Sequence, residues 1–182
     1  MTHPLEGRDY TGRFVMNGVG RTTWVWGILS WDGQHHEKWH ILPDGRDIYD
    51  ALDADGLAAL SEPSWIKVSN HGKLPDIMWT GAGLFCFVSA RLLRVLDEHD
   101  VSGYRSVPVE LRFKRKGTVH GYSLLYFDDG ESDEIRPYPP GRLFSDSFDT
   151  SARVKDALAQ AGVTDLEIDD AADLTRRVME TL

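Results

Sequence analysis

Cysteine is almost missing from this chain of 182 residues: Cys86 stands alone, so no disulfide can form within it. Long apolar runs are missing as well. The stretch from Ala82 to Val88, closed by Ser89 and Arg91, falls well short of the roughly 18 apolar residues of a membrane-crossing helix. Met1 to Tyr10 has no apolar core of a secretory signal, and the expectation is a cytoplasmic protein with no membrane partner. Basic charge is also in deficit. Twenty Lys and Arg against 29 Asp and Glu leave a formal charge of −9, which argues against nucleic acid as a partner and suits a basic protein instead. What is present, 41% apolar residues over 182 positions, suffices for one sizeable core, and a single domain over residues 1–182 is expected.

The acidity is regional. Residues 1–127 carry 14 basic and 15 acidic side chains, whereas residues 128–182 carry 6 and 14. Its densest part is Asp128, Asp129, Glu131, Asp133 and Glu134, which surround Gly130 and precede Pro137, Pro139, Pro140 and Gly141. This composition predicts an exposed acidic and proline-rich loop over residues 128–144. Its five carboxylates are the candidate partner-binding residues, because long-range attraction to a basic surface speeds encounter.

Residues 1–74 read as a strand-rich N-terminal lobe. Arg13 to Asn17 and Thr22 to Trp31 are rich in β-branched and aromatic residues and are punctuated by glycines, as short antiparallel strands are. Thr22 to Trp31 is apolar on both faces, which suits a strand covered on two sides or one with a side left open for a partner. A short helix is predicted near Ile48 to Leu60 and another strand over Ser64 to Ser69. Tryptophan occurs at positions 24, 26, 31, 39, 65 and 79, and these rings are read mainly as core.

One string asks for an enzyme. His36-Glu37-Lys38-Trp39-His40 matches H-E-x-x-H, in which two histidines one helical turn apart bind zinc and the glutamate serves as general base. That chemistry needs a helix of several turns. Gly33 and Pro43 leave only Gln34 to Leu42, about two turns, and no third ligand follows. The string therefore reads as a histidine-rich turn or strand, with no metal and no cofactor, and a zinc-dependent hydrolase is the alternative. Cys86, inside the apolar run, reads as a buried, inert thiol.

Residues 75–127 and 145–182 read as two helix–strand units. At an offset of 62 positions, Ser89-Ala90-Arg91 aligns with Ser151-Ala152-Arg153, Leu96 with Leu158, and Val101 with Val163. Each unit opens on a serine able to cap a helix, continues with apolar residues at helical spacing, and stops at Asp100 or Gly162. Arg91 and Arg153 fall in the first turn, where a cation opposes the helix dipole, so each is expected to form a salt bridge to a neighbouring acidic loop, a ligand-binding pair being the alternative. Val107, Val109, Leu111 and Phe113 alternate with polar positions, and residues 107–127 read as a β-hairpin. A C-terminal helix completes the chain, giving an α+β class: an antiparallel, strand-rich N-terminal part followed by two helix–strand repeat units.

The strings Pro75-Asp76-Ile77-Met78-Trp79, Gly81-x-Gly83, Phe87-Val88-Ser89-Ala90-Arg91 and His99-Asp100-Val101-Ser102-Gly103 resemble a segment found in immunity proteins of bacterial polymorphic toxin systems. Phe148 to Leu158 and Ala161 to Glu167 resemble the same segment again, so the likeness covers residues 75–168. Alanine stands at 90 and 152 where that pattern has glutamate, and aspartate at 165 where it has glycine. The resemblance implies stoichiometric binding and neutralisation of a cognate toxin and brings no catalytic residues with it. A phage or defence accessory binding protein is a further alternative.

Overall fold

A computed structural model describes residues 5–18, 24–25, 27–30, 64–68, 74–80, 86–113, 117–128, 130, 133–140, 147–163 and 166–181, together with Arg46, Asp50, Ala54 and Asp55. Among the described residues the architecture is α+β, with two sheets and three nine-residue helices. The smaller sheet contains β1 (Arg13–Gly18), β9 (Ile135–Pro137), β10 (Phe148–Ser151) and β11 (Leu166–Asp170), antiparallel throughout in the order β11-β1-β10-β9. The larger contains β2 (Trp24–Val25), β3 (Gly27–Ser30), β4 (Ser64–Val68), β5 (Ile77–Thr80), β6 (Cys86–Ser89), β7 (Tyr104–Phe113) and β8 (Gly117–Phe127).

The larger sheet runs β2-β5-β6-β8-β7-β4-β3, so its two ends are β2 and β3. Only position 26 separates those ends along the chain, and two Cα steps of about 3.8 Å hold Val25 and Gly27 within about 7.6 Å of each other. Their directions agree too. The pairs β2/β5 and β4/β7 are parallel and the other four are antiparallel, so β2 and β3 point the same way. The sheet therefore returns on itself. The path from Trp24 to Ser30 pairs with β5 first and β4 afterwards, closing the ring. The expectation of one strand over Thr22 to Trp31 is refined accordingly: it becomes two pairing segments with different partners.

Burial follows from that closure. Residues Tyr122 to Phe127 are all buried, as are Cys86, Phe87 and Val88, so both faces of these central strands are covered. On one face Ile77, Cys86, Val88, Leu125 and Phe127 share a core with Leu92, Val95 and Leu96 of α1 (Ala90–Glu98). Val154, Ala157 and Leu158 of α2 (Ala152–Gln160) and Met16 and Phe148 of the smaller sheet belong to the same core. The Phe127 and Phe148 rings meet across the two sheets with centroids 5.8 Å apart. Register puts Met78, Phe87, Leu124, Val109 and Tyr122 on the opposite face, also buried. Cys86 is buried, as expected, and forms no disulfide.

The helices α1 and α2 end as their sequences dictate. Asp100 takes the left-handed conformation (φ 48°) after α1, and the Val101 N–H donates to the Leu96 carbonyl. Gly162 (φ 67°) does the same after α2, with Val163 N–H donating to Leu158. α3 (Ala171–Met179) is capped by Asp170 and carries Arg176 and Arg177 in its last turn, the favourable sign there. Ala171 packs with Leu5, Tyr10, Val15 and Tyr138 on the second face of the smaller sheet. The hairpin expected at 107–127 is formed by β7 and β8, with a bulge near Gly121 (φ 88°). Of the helix predicted near 48–60, only Asp50, Ala54 and Asp55 are described, all helical.

A buried ionic triad crosses the smaller sheet. Asp149 of β10 lies directly opposite Arg136 of β9 and Val15 of β1, which places Arg13, two residues from Val15, on the same face. The Asp149 carboxylate is fully buried and ion-paired to Arg13 Nε, and it accepts from Arg136 Nε at 3.1 and 3.3 Å. Arg136 also lies 5.8 Å over the Tyr10 ring and donates to the Asp9 carbonyl at 3.4 Å.

Phenols are desolvated throughout this core. Burial, aided by the Asp149 charge, pushes Tyr10 up to about 12. Burial and the Asp76 charge push Tyr122 up to about 12, and burial together with its bond to Asp97 raises Tyr104. A raised phenol keeps its proton in the folded state after the unfolded chain has lost it near pH 10. The stabilisation is thus complete below about pH 10 and is lost as pH rises towards 12. Parallel titrations of tyrosinate absorbance and far-UV circular dichroism are expected to show these phenols ionising together with loss of secondary structure.

Candidate functional site

Two corners of matching construction hold the starts of α1 and α2. At the first, Ser89 Oγ accepts from the Leu92 N–H at 3.2 Å and donates to Asp76 Oδ1 at 2.6 Å. Arg91 binds the same carboxylate through Nε (3.1 Å) and Nη2, and the Ser89 N–H reaches the Asp76 carbonyl at 2.8 Å. At the second, Ser151 Oγ accepts from Val154 N–H at 3.3 Å and donates to Glu134 Oε1 at 3.3 Å. Arg153 binds Glu134 through Nε (2.8 Å) and Nη2, and the Ser151 N–H donates to the Glu134 carbonyl at 3.2 Å. Both arginines are thus salt-bridged: Arg153 to the acidic loop as expected, and Arg91 to Asp76, a single carboxylate just before β5. Each carboxylate stands at a helix N-terminus, where it offsets the unfavourable arginine.

The second corner anchors the acidic loop. Arg153 Nη1 also donates to the His99 carbonyl at 2.8 Å, tying the start of α2 to the end of α1. Hydrogen bonds from Arg153 hold the Glu134 carboxyl below the usual carboxylate range. A lowered carboxyl stabilises the fold above its unfolded pKa, and that contribution is lost as pH falls through the folded value. Carbon-detected titration of Glu134 is expected to give a midpoint below an ordinary glutamate, restored to ordinary in Arg153→Ala.

At the opposite end of the loop Asp128 is ion-paired to Arg105 at 2.9 Å, and its N–H donates to the Gly103 carbonyl. Asp133 Oδ2 accepts from Gly130 N–H at 2.7 Å, closing a turn. The N–H groups of Glu134 and Ile135 bond Ser102 Oγ and the Ser102 carbonyl at 3.2 and 3.1 Å. Of the five expected contact residues, Asp128 is exposed and ion-paired to Arg105, and Asp133 and Glu134 are half-buried and bonded within the chain. The exposed loop expected over residues 128–144 is interrupted at Ile135–Pro137, which form the buried strand β9 because they pair with β10. Asp129 and Glu131 lie outside the described residues.

Gly103 supports this base. Its φ of 97° suits glycine, and an added Cβ falls 2.1 Å from the Ile135 carbonyl oxygen and 2.5 Å from Asp133 Cβ. Backbone on one side leaves little room for relief. Gly103→Ala is expected to cost about 2 kcal/mol or more in urea unfolding, from left-handed strain plus overpacking.

His36, Glu37 and His40 lie outside the described residues, as do all six tryptophan side chains. Among the described residues, no group of three or more His, Cys, Asp or Glu side chains is placed to hold a metal ion. No helix among them is long and apolar enough to cross a membrane. The Arg13–Asp149–Arg136 triad had no signal in sequence, because its members belong to three separate strands. No protein-family model matches this chain, and no curated protein matches it either.

Proposed function

We propose that the chain is an immunity-type protein that binds a cognate toxin stoichiometrically in the cytoplasm and neutralises it without catalysis. The docking face is the acidic loop, with Asp128, Asp129 and Glu131 meeting a basic toxin surface and Asp133 and Glu134 setting the loop's shape. The observation that carries this reading is the anchoring of the loop at both ends, by Arg105 and Gly103 on one side and Ser102, Ser151 and Arg153 on the other. Anchoring lowers the ordering cost that a flexible loop would meet on binding. The regional acidity, 14 acidic against 6 basic side chains over residues 128–182, supplies the attraction.

The neighbouring gene is expected to encode a protein with a toxin domain, and co-expression of the two tests the reading directly. Growth rescue and a 1:1 complex by size-exclusion chromatography are expected. In the purified complex, Asp128→Lys combined with Asp129→Lys and Glu131→Lys should slow association about tenfold or more at low salt, with a smaller change in dissociation. Absence of a complex, or association unaffected by charge reversal, overturns the proposal.

A further inference from the structure

Beside the acidic loop, the turn before β1 and the facing strands border an open cavity of about 460 Å³. Its wall includes Arg8, Asp9, Thr11, Arg13, Arg136 and Ser151. A chain of net charge −9 thus brings three guanidinium groups around one hollow. The nearby carboxylates are already committed. Asp9 Oδ1 accepts from Thr11 N–H at 2.8 Å, and Asp149 is shared between two arginines at full burial. Of the lining side chains three are cationic and one, Asp9, is anionic; Asp149 lies behind the wall, and Glu134, bonded to Ser151 of the wall, is ion-paired to Arg153.

Two of those cations are largely withdrawn from water, with side chains 14% exposed at Arg13 and 4% at Arg136. Arg13 uses Nε and Nη2 on Asp149 and the Glu134 carbonyl, while its Nη1 has no hydrogen-bond partner among the described residues. An incompletely compensated, partly desolvated cation favours an anion that brings its own acceptors. Planar guanidinium forks match the oxygens of phosphate and carboxylate. The volume suits a small molecule, since ligand pockets run from roughly 300 to 1,000 Å³.

We infer that this cavity binds a small oxyanionic ligand, a phosphate ester or a polycarboxylate, held by Arg8, Arg13 and Arg136. Arg8 adds a third guanidinium beside the triad, and Arg13 and Arg136 supply the buried floor. The site adjoins the acidic docking loop, because Arg13 and Ser151 of its wall bond Glu134, but ligand binding there does not depend on the toxin-binding reading.

Titration of the full chain with inorganic phosphate, pyrophosphate and citrate, each against chloride at equal ionic strength, tests it. At least one of the three should raise the unfolding midpoint by about 2–4 °C or more, and the strongest distinguishes a phosphate from a carboxylate ligand. Arg8→Ala should weaken binding about tenfold, and Arg8→Lys should restore it in part. Amide chemical-shift changes in the unmodified chain provide a second measurement that needs no variant, and they should centre on residues 7–13 and 136. Midpoints no higher than in chloride, shifts centred elsewhere, or full affinity in Arg8→Ala each overturn the inference.

Discussion

Asp149→Ala is expected to destabilise the folded chain by about 3–5 kcal/mol in urea unfolding, as is usual when one partner of a buried ionic group is removed. Asp149 is 0% exposed and bridges Arg13 of β1 to Arg136 of β9, so its loss strands two cations in the centre of the smaller sheet. An asparagine at this position would fill the space without neutralising either cation, and Asp149→Asn should recover only part of the loss. Against a typical total of about 5–15 kcal/mol, a deficit of this size unfolds a measurable fraction of the protein. Replacing the group together, with Arg13→Met, Arg136→Met and Asp149→Leu, should regain much of the stability, because no uncompensated charge then remains. A triple variant as unstable as Asp149→Ala would show that the strands depend on the ions themselves.

Phe127→Ala is expected to cost about 3–5 kcal/mol, the range for truncating a fully buried aromatic ring. Phe127 is 0% exposed and Phe148 1%, and their rings join the larger sheet to the smaller one. Phe148→Ala should cost a similar amount. Because the rings touch, the double variant should lose less than the sum of the two, and the difference reports their coupling. Urea titrations of all four proteins give that difference. Strict additivity would show that the two sheets unfold without regard to one another.

Local readings of the chain fared well where a few neighbouring residues decide the outcome. Serine at 89 and 151 caps a helix because its hydroxyl accepts an N–H three positions on, and Asp100 and Gly162 end those helices by taking the left-handed conformation. The alternation of Val109 and Leu111 with exposed Pro108 and Arg112 placed a strand correctly. The arginines at 91 and 153 announced a need for acidic partners. Which carboxylates answered that need, Asp76 and Glu134, was decided when β5 and β9 brought them alongside.

The acidic loop shows the opposite case. In sequence, Asp133 and Glu134 look like solvated charges no different from Asp128. Their half-buried positions come from Ser102, Gly103, Ser151 and Arg153, which are remote along the chain: Ser151 is 17 positions from Glu134 and Ser102 is 32. Likewise Thr22 to Trp31 reads as one strand, because periodicity reports faces and not partners. Only the ring's closure reveals that β2 and β3 serve opposite ends of one sheet.

The amino-acid order alone determined the class of the protein, its helix caps and stops, its central hairpin and the regional concentration of negative charge. Those features depend on spacings of a few residues, within reach of a single turn or strand. Tertiary structure alone decided that Arg13 meets Asp149 across 136 positions, that the larger sheet closes, and that an arginine-lined cavity exists in an acidic chain. Such meetings are set by strand order and direction, which the cooperative packing of the whole core selects and no local pattern records.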